Sequence, residues 1–305
     1  MIPFVRQFDF GYGRPDRLSP LIERIIAPNP GPFTFTGTGV YVVGRAEAGA
    51  RVAVIDPGPP DEGHLQALLA ALEGRTVSHI LVTHAHRDHY PLAAPLAEIT
   101  GAPVLAAGNA RPVHASNPEN PDPGNLEAGD GDFRPDRVLA DGERIAGDGW
   151  TLETLATPGH ASDHLAFALI EENALFTGDH VMGWSTSVVA PPDGDMAAYL
   201  ASLDRVAARG FARLYPTHGA PIDDPAPFLA AYREHRLERE RQILARLAAG
   251  DATIRAMVPI LYAGVDERLW PAASLSVQAH LIKLVGEGRA VAEPAPTLDA
   301  IYRPA

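Results

Sequence analysis

The stretch Ile80-Leu81-Val82-Thr83-His84-Ala85-His86-Arg87-Asp88-His89 decides how this chain is to be read. It opens as a short apolar run, the pattern of a buried strand, and then presents four potential metal ligands within six residues. A strand end that opens into a loop is where side chains can converge. Taken alone, the motif also suits a polar surface loop. Three further segments repeat its chemistry: Thr157-Pro158-Gly159-His160, Phe176-Thr177-Gly178-Asp179 and Tyr215-Pro216-Thr217-His218-Gly219. Each sets a glycine beside a ligand at the end of a strand-like run. Together the four segments offer five histidines and two aspartates, the right number for two divalent ions with three terminal ligands apiece and one shared carboxylate.

Around these segments the chain reads as a mixed α/β sandwich. Val40-Tyr41-Val42-Val43, Val52-Ala53-Val54-Ile55 and Ile80-Leu81-Val82 read as buried strands. Gly63 to Leu72, with Leu65, Leu68, Leu69 and Leu72 at helical spacing, reads as a helix between them. Residues 111–137, dense in Pro, Gly, Asn and Asp, are expected to form a long loop covering the cleft. After Pro225 the texture becomes helical up to Gly250; two shorter helices are expected around Ile254–Tyr262 and Ala272–Val285, then a short apolar strand. Helix, helix, helix and wing is the arrangement of a winged helix. Charge divides at the same place, with net −14 over residues 1–225 and +1 over 226–305. The expected organisation is therefore a catalytic domain over 1–225 and a winged-helix-like extension over 226–305.

Composition narrows the chemistry. With 305 residues, 46% hydrophobic and 21% charged, the chain can bury a sizeable core. Cysteine is absent, which removes disulfides, thiolate nucleophiles, zinc fingers and iron–sulfur clusters, so any metal must be held by His and carboxylates. Imidazole with carboxylate and no sulfur suits Zn2+ first, with Mn or Fe as the alternatives. A net charge of −13 disfavours non-specific nucleic-acid binding by the whole surface. The N-terminal MIPFVRQFDFGYGRPD lacks the apolar core of a signal peptide, and no apolar run approaches the ~18 residues of a membrane span, so a cytoplasmic location with no membrane partner is expected.

With these residues in view, the chain resembles the metallo-β-lactamase superfamily, whose strand-end ligands follow the order H-x-H-x-D-H, His, Asp, His. The resemblance implies an αββα sandwich in which His84, His86 and His160 hold the first metal, Asp88, His89 and His218 hold the second, and Asp179 bridges them. Asn29-Pro30-Gly31-Pro32-Phe33-Thr34-Phe35-Thr36-Gly37-Thr38, Asp56-Pro57-Gly58, His160-Ala161-Ser162-Asp163-His164 and the helical stretch Tyr232–Leu247 further resemble the β-lactamase-like protein 2 group. That group carries a C-terminal winged-helix extension, and its animal member is a single-strand-specific endoribonuclease. Gly39 departs from the group, which commonly has Asn there. The absence of Cys together with a bridging Asp179 argues against antibiotic hydrolysis by the class B1 and B2 pattern. His86, where flavodiiron reductases have Glu, argues against redox chemistry.

The expected activity is that of a dinuclear metal-dependent hydrolase. Two cations lower the pKa of a bridging water from about 15.7 toward about 7, giving a metal-bridging hydroxide without a separate strong base. Asp88 and His164 are the candidate catalytic residues, His164 because it follows His160 by four positions and could position substrate or protonate a leaving group. Asp56, at a strand end before Pro57-Gly58, could fix a ligand tautomer or simply form the turn. His180 and the histidines at 64, 79, 114, 235 and 280 are expected to be structural or surface residues. Three readings of function follow: hydrolysis of a small ester, thioester, lactone or other acyl substrate; single-strand-specific RNA cleavage guided by the winged helix; and a sensor domain coupled to a DNA-binding tail. The third expected helix carries Lys283 as its only cation, against the several of a nucleic-acid-reading helix. The apolar residues of the extension could dock on the sandwich or on a second chain, as a homodimer.

Overall fold

The computed structural model describes residues 1–108 and 133–305. Most of the expected loop 111–137 lies outside the described residues. Its last residues are described, and there Phe133 is buried and Arg137–Val138 forms a strand where a loop was expected.

Two sheets face each other. The first runs β1 (Asp16–Arg17), β2 (Ile22–Ile26), β3 (Gly39–Val43), β4 (Arg51–Ile55), β5 (Thr76–Leu81), β6 (Val104–Ala106) and β7 (Arg137–Val138), hydrogen-bonded in chain order. The second runs β8 (Arg144–Gly147), β9 (Trp150–Ala156), β10 (Leu165–Leu169), β11 (Ala174–Gly178) and β12 (Arg213–Pro216), again neighbour to neighbour. Helices α1 (Glu62–Ala71) and α2 (Ala93–Thr100) cover the first sheet; α3 (Met196–Ala208) and the start of α4 (Pro225–Ala248) cover the second.

Alternation along each strand explains the layering. In β3, Val40 and Val42 point toward α1 and α2, while Tyr41 and Val43 point between the sheets. In β10, Ala166 and Ala168 point toward α3, and Leu165, Phe167 and Leu169 face inward. A strand buried on both faces has no polar side, which is why these segments read as unbroken apolar runs. Trp150, Tyr41, Phe167, Phe176 and Tyr215 fill the space between the sheets. The helices start where side chains satisfy their first amides. Asp61 accepts from the His64 amide at 2.6 Å ahead of α1, and Asp195 accepts from the Ala198 amide at 2.7 Å ahead of α3.

The tail has its own core. Helices α5 (Ile254–Leu261) and α6 (Trp270–Gly286) and the antiparallel pair β13 (Ala290–Glu293) and β14 (Ile301–Pro304) enclose Met257, Val277, Leu281, Leu284 and Tyr302. Helix α4 serves both bodies. Phe228, Leu229 and Tyr232 near its start lie in the sandwich core, while Ile243 and Leu247 near its end lie in the tail core. The αββα sandwich with a small C-terminal winged helix is thus the observed architecture. Among the described residues no helix is long and apolar enough to cross a membrane.

Candidate metal centre

Every candidate ligand sits at one edge of the sandwich. Strand β4 is parallel to β5, and β11 is parallel to β12, with β9 and β11 both antiparallel to β10. The C-terminal ends of β4, β5, β9, β11 and β12 therefore open on the same side, carrying Asp56, His84 to His89, His160, Asp179 and His218 respectively. Two glycines make the approach possible. Gly159, at φ +139°, lets the turn before His160 pass α3, where a Cβ would sit 2.4 Å from the Tyr199 amide nitrogen. Gly178, at φ +52°, leaves room for His164, whose Nε2 would lie 2.6 Å from a Cβ there.

The seven side chains form two groups. In the first, His84 Nε2 lies 2.9 Å from His86 Nδ1, which lies 3.1 Å from His160 Nε2. In the second, His218 Nε2 lies 3.1 Å and His89 Nε2 3.4 Å from Asp88 Oδ2. Asp179 stands between them, with Oδ2 3.8 Å from His160 Nε2 and 3.6 Å from His89 Nε2, and Oδ1 3.4 Å from His218 Nε2. All seven are buried.

The hydrogen bonds behind these rings settle which nitrogens face inward. Thr83 Oγ1 donates its single proton to Asp56 Oδ2 at 2.8 Å, so its contact with His84 Nδ1 at 2.9 Å is donated by the imidazole. His160 Nδ1 donates to the Val188 carbonyl at 2.6 Å, His89 Nδ1 to Asp56 Oδ2 at 2.9 Å and His218 Nδ1 to the Gly37 carbonyl at 3.2 Å. With these rings neutral, each inward Nε2 is a lone pair aimed at another ring nitrogen or at a carboxylate. His89 Nε2 and Asp179 Oδ1 are buried with no hydrogen-bond partner among the described residues. Facing acceptors repel unless a proton or a cation lies between them, so the donor set fits divalent metal.

Electrostatics separate the two halves. Burial, reinforced by the neighbouring imidazoles, holds His84 well below the usual histidine range and His86 down at about 3, so both rings are neutral. Burial opposes charge at His218 too, yet Asp179 and Asp88 outweigh it and push His218 up to about 10. At His89 burial is likewise outweighed by Asp88, Asp179 and Asp56. The carboxylate-rich half is where cationic charge is most stabilised.

The structure also shows what surrounds the ligands. Asp56, at φ +50°, accepts from the Thr83 amide at 2.8 Å, Thr83 Oγ1, His89 Nδ1 and Thr217 Oγ1 at 3.3 Å. It therefore fixes the His89 ring as well as the turn. Thr38 Oγ1 donates to Asp88 Oδ2 at 3.0 Å. These threonines escaped the sequence reading, although Thr83 and Thr217 each directly precede a ligand histidine. His164, expected near the reaction, spends both nitrogens on the scaffold: Nδ1 donates to Thr157 Oγ1 at 2.8 Å, and Nε2 accepts from the Asp179 amide at 3.1 Å. Burial and its histidine neighbours hold it well below the usual range. His180 lies fully buried against Tyr199, with ring centroids 5.0 Å apart.

A sandwich with this ligand edge defines a metal-dependent hydrolase fold, and comparison with known families agrees. The chain belongs to the metallo-beta-lactamase superfamily, whose model matches residues 34–218, and a beta-lactamase associated winged helix domain matches residues 253–296. It is an enzyme, a hydrolase of the metallo-β-lactamase fold. A beta-lactamase-like protein 2 homolog of Drosophila melanogaster is 32% identical over 296 residues, covering 94% of this chain and 96% of that protein. An atrochrysone carboxyl ACP thioesterase of Aspergillus chevalieri is 32% identical over 289 residues, covering 91% and 85% respectively. The crystal structure of a metallo-beta-lactamase family protein from Thermus thermophilus shares 25% identity at a TM-score of 0.74, covering 95% of this chain and 100% of that one.

Proposed function

We propose that the protein is a dinuclear zinc hydrolase of acyl substrates, an ester, lactone or above all a thioester, with the catalytic body over residues 1–225 and the extension over 226–305. The observation that carries this reading is Asp179, whose two oxygens reach both ligand groups. His84, His86 and His160 would hold one ion, Asp88, His89 and His218 the other, with Asp179 shared. When bound, the ions supply a water of lowered pKa and polarise the attacked oxygen. The chain's own part is to hold four of the imidazoles, His84, His89, His160 and His218, in one tautomer through Thr83, Asp56, Val188 and Gly37, so that these rings need not reorganise during turnover. Asp88, anchored by Thr38, is the carboxylate we assign to receive a proton from the attacking water. His164 is assigned to holding the Asp179 backbone, since it offers no free nitrogen to a leaving group.

The thioester preference is supported by the relative named as a thioesterase, and by charge pairing in the tail that weighs against RNA. Lys283 of α6 is paired with Glu240 and Glu287, both at 2.8 Å. Arg241, Arg246, Arg268, Arg289 and Arg303 each pair with a neighbouring carboxylate. Phosphate contacts need cations that are free to leave their partners. The test is a metal assay followed by a panel of thioesters, esters, lactones, phosphodiesters and single-stranded RNA. Two zinc equivalents and chelator-sensitive thioester hydrolysis are expected. Turnover confined to RNA would overturn the reading.

A further inference from the structure

Where α4 crosses from the sandwich core toward the tail core it carries two deeply buried polar side chains, Tyr232 and Arg236. They lie four residues apart and so face the same way. Both reach one segment of the catalytic body, residues 182–188. Tyr232 Oη accepts from the amides of Met182 at 3.2 Å and Ser187 at 2.9 Å and donates to the Ser185 carbonyl at 2.7 Å. Arg236 donates to the Ser187 carbonyl and lays its guanidinium over the Tyr199 ring, 5.1 Å from the centroid. Tyr199 Oη and Ser187 Oγ both donate to the His180 carbonyl at 2.9 Å, closing the arrangement.

This segment touches both halves of the metal centre. The Gly183 amide donates to the His218 carbonyl at 3.0 Å, and the next residue after Ser187, Val188, supplies the carbonyl that fixes His160. A chain held at Met182, Ser185 and Ser187 has little freedom left to move the Val188 carbonyl. Docking of the tail alone does not demand this. The apolar contacts of Phe228 and Leu229 would seat α4 without any polar group. Burying a tyrosine hydroxyl and a guanidinium is costly unless their partners are worth fixing.

We infer that Tyr232 and Arg236 are positioning residues of the metal centre, acting through the Val188 carbonyl on His160. The inference rests on the metal-centre reading above. It makes the C-terminal extension part of the site's construction. Direct loss of an orienting partner weakens metal binding ~10–100-fold. Tyr232 acts one step further out, so a weakening of roughly threefold to tenfold is expected.

The experiment is a zinc titration of the demetallated full-length chain against a competing chromophoric chelator, with the melting temperature followed in parallel. Tyr232→Phe keeps the ring and removes the hydroxyl, and Arg236→Met keeps an unbranched apolar stem and removes the guanidinium. Each should weaken one of two zinc equivalents by roughly threefold to tenfold and leave the other within about twofold. In a His160→Ala background Tyr232→Phe should have no further effect on zinc, because the ligand it acts through is gone. Lower melting temperatures with both zinc affinities unchanged in both variants would overturn the inference, as would the same weakening in the His160→Ala background. A wild-type chain that takes up no zinc would instead overturn the metal-centre reading itself.

Discussion

Asp56→Asn isolates a carboxylate that supports the candidate ligand His89 without belonging to either candidate ligand group. The asparagine keeps the shape, tolerates φ +50°, and its Oδ1 still accepts from the Thr83 amide. Its Nδ2 replaces Oδ2, the atom on which Thr83 Oγ1, His89 Nδ1 and Thr217 Oγ1 converge. The two hydroxyls can rotate and accept instead. His89 cannot, since turning Nδ1 into an acceptor moves the ring proton to Nε2, the atom that must face the metal. One hydrogen bond to a charged acceptor is lost, worth about 2 kcal/mol, which corresponds to roughly a 30-fold loss of affinity. Competitive zinc titration at neutral pH should therefore show one equivalent weakened by about that factor, with the far-ultraviolet circular dichroism unchanged. Asp56→Ala should add a folding penalty of about 1–3 kcal/mol, because it strands the buried Thr83 amide as well. An Asp56→Asn protein that binds both zinc equivalents as the wild type does would refute the reasoning.

Asp179→Ala leaves the two ligand groups facing each other with one negative charge fewer; elemental analysis should find at least one zinc equivalent lost, and turnover on an established substrate should fall by more than about 100-fold. Gly159→Ala drives a Cβ to 2.4 Å from the Tyr199 amide nitrogen at φ +139°, so denaturant unfolding should show a loss above about 3 kcal/mol. Glu240 pairs with Lys283 at 2.8 Å and Arg289 at 3.1 Å; burial opposes its charge, but His280 and Lys283 outweigh it and hold the carboxyl down at about 2. Stability from a depressed carboxyl is present above its ordinary value of 4.5 and is lost as pH falls toward 2. Glu240→Gln should therefore cost about 1–3 kcal/mol at neutral pH and flatten the acid limb of the stability profile over that window.

The clustering of the candidate ligands was legible in the sequence because such a site makes a local demand: a strand must end, a glycine must permit the turn, and His or Asp must stand there. The sandwich was legible for a related reason, since strands buried on both faces show as uninterrupted apolar runs such as Val40 to Val43. The helices and wing of the tail likewise followed from periodicity and from Gly286 and Gly288. What stayed hidden depends on distance in sequence. Nothing in Tyr232 or Arg236 announces an attachment to residues 182–187, about fifty positions earlier. His164 illustrates the same limit: its spacing from His160 is visible in the sequence, while the Asp179 amide from which its Nε2 accepts lies fifteen residues on. Phe133 and Arg137, placed by composition in a loop, are drawn into the sandwich by burial and by pairing with β6.

Helix α4 has a bearing on how the molecule matures on the ribosome. The seven candidate ligands lie between positions 84 and 218, so all of them emerge before the helix that closes the second sheet's outer layer. A nascent chain paused after His218 would hold every candidate ligand, yet Leu155, Leu175, Leu203 and Leu214 would still lack Phe228 and Leu229 over them, and the 182–187 segment would lack its two anchors. Synthesis proceeds from the N-terminus at about 5–20 residues per second, so the last layer of the core and the anchors of the 182–187 segment arrive together, seconds after the candidate ligands themselves. On the proposed reading, metal offered earlier would meet a site whose geometry is still adjustable. Metal offered after release would meet one whose shape the helix has already set.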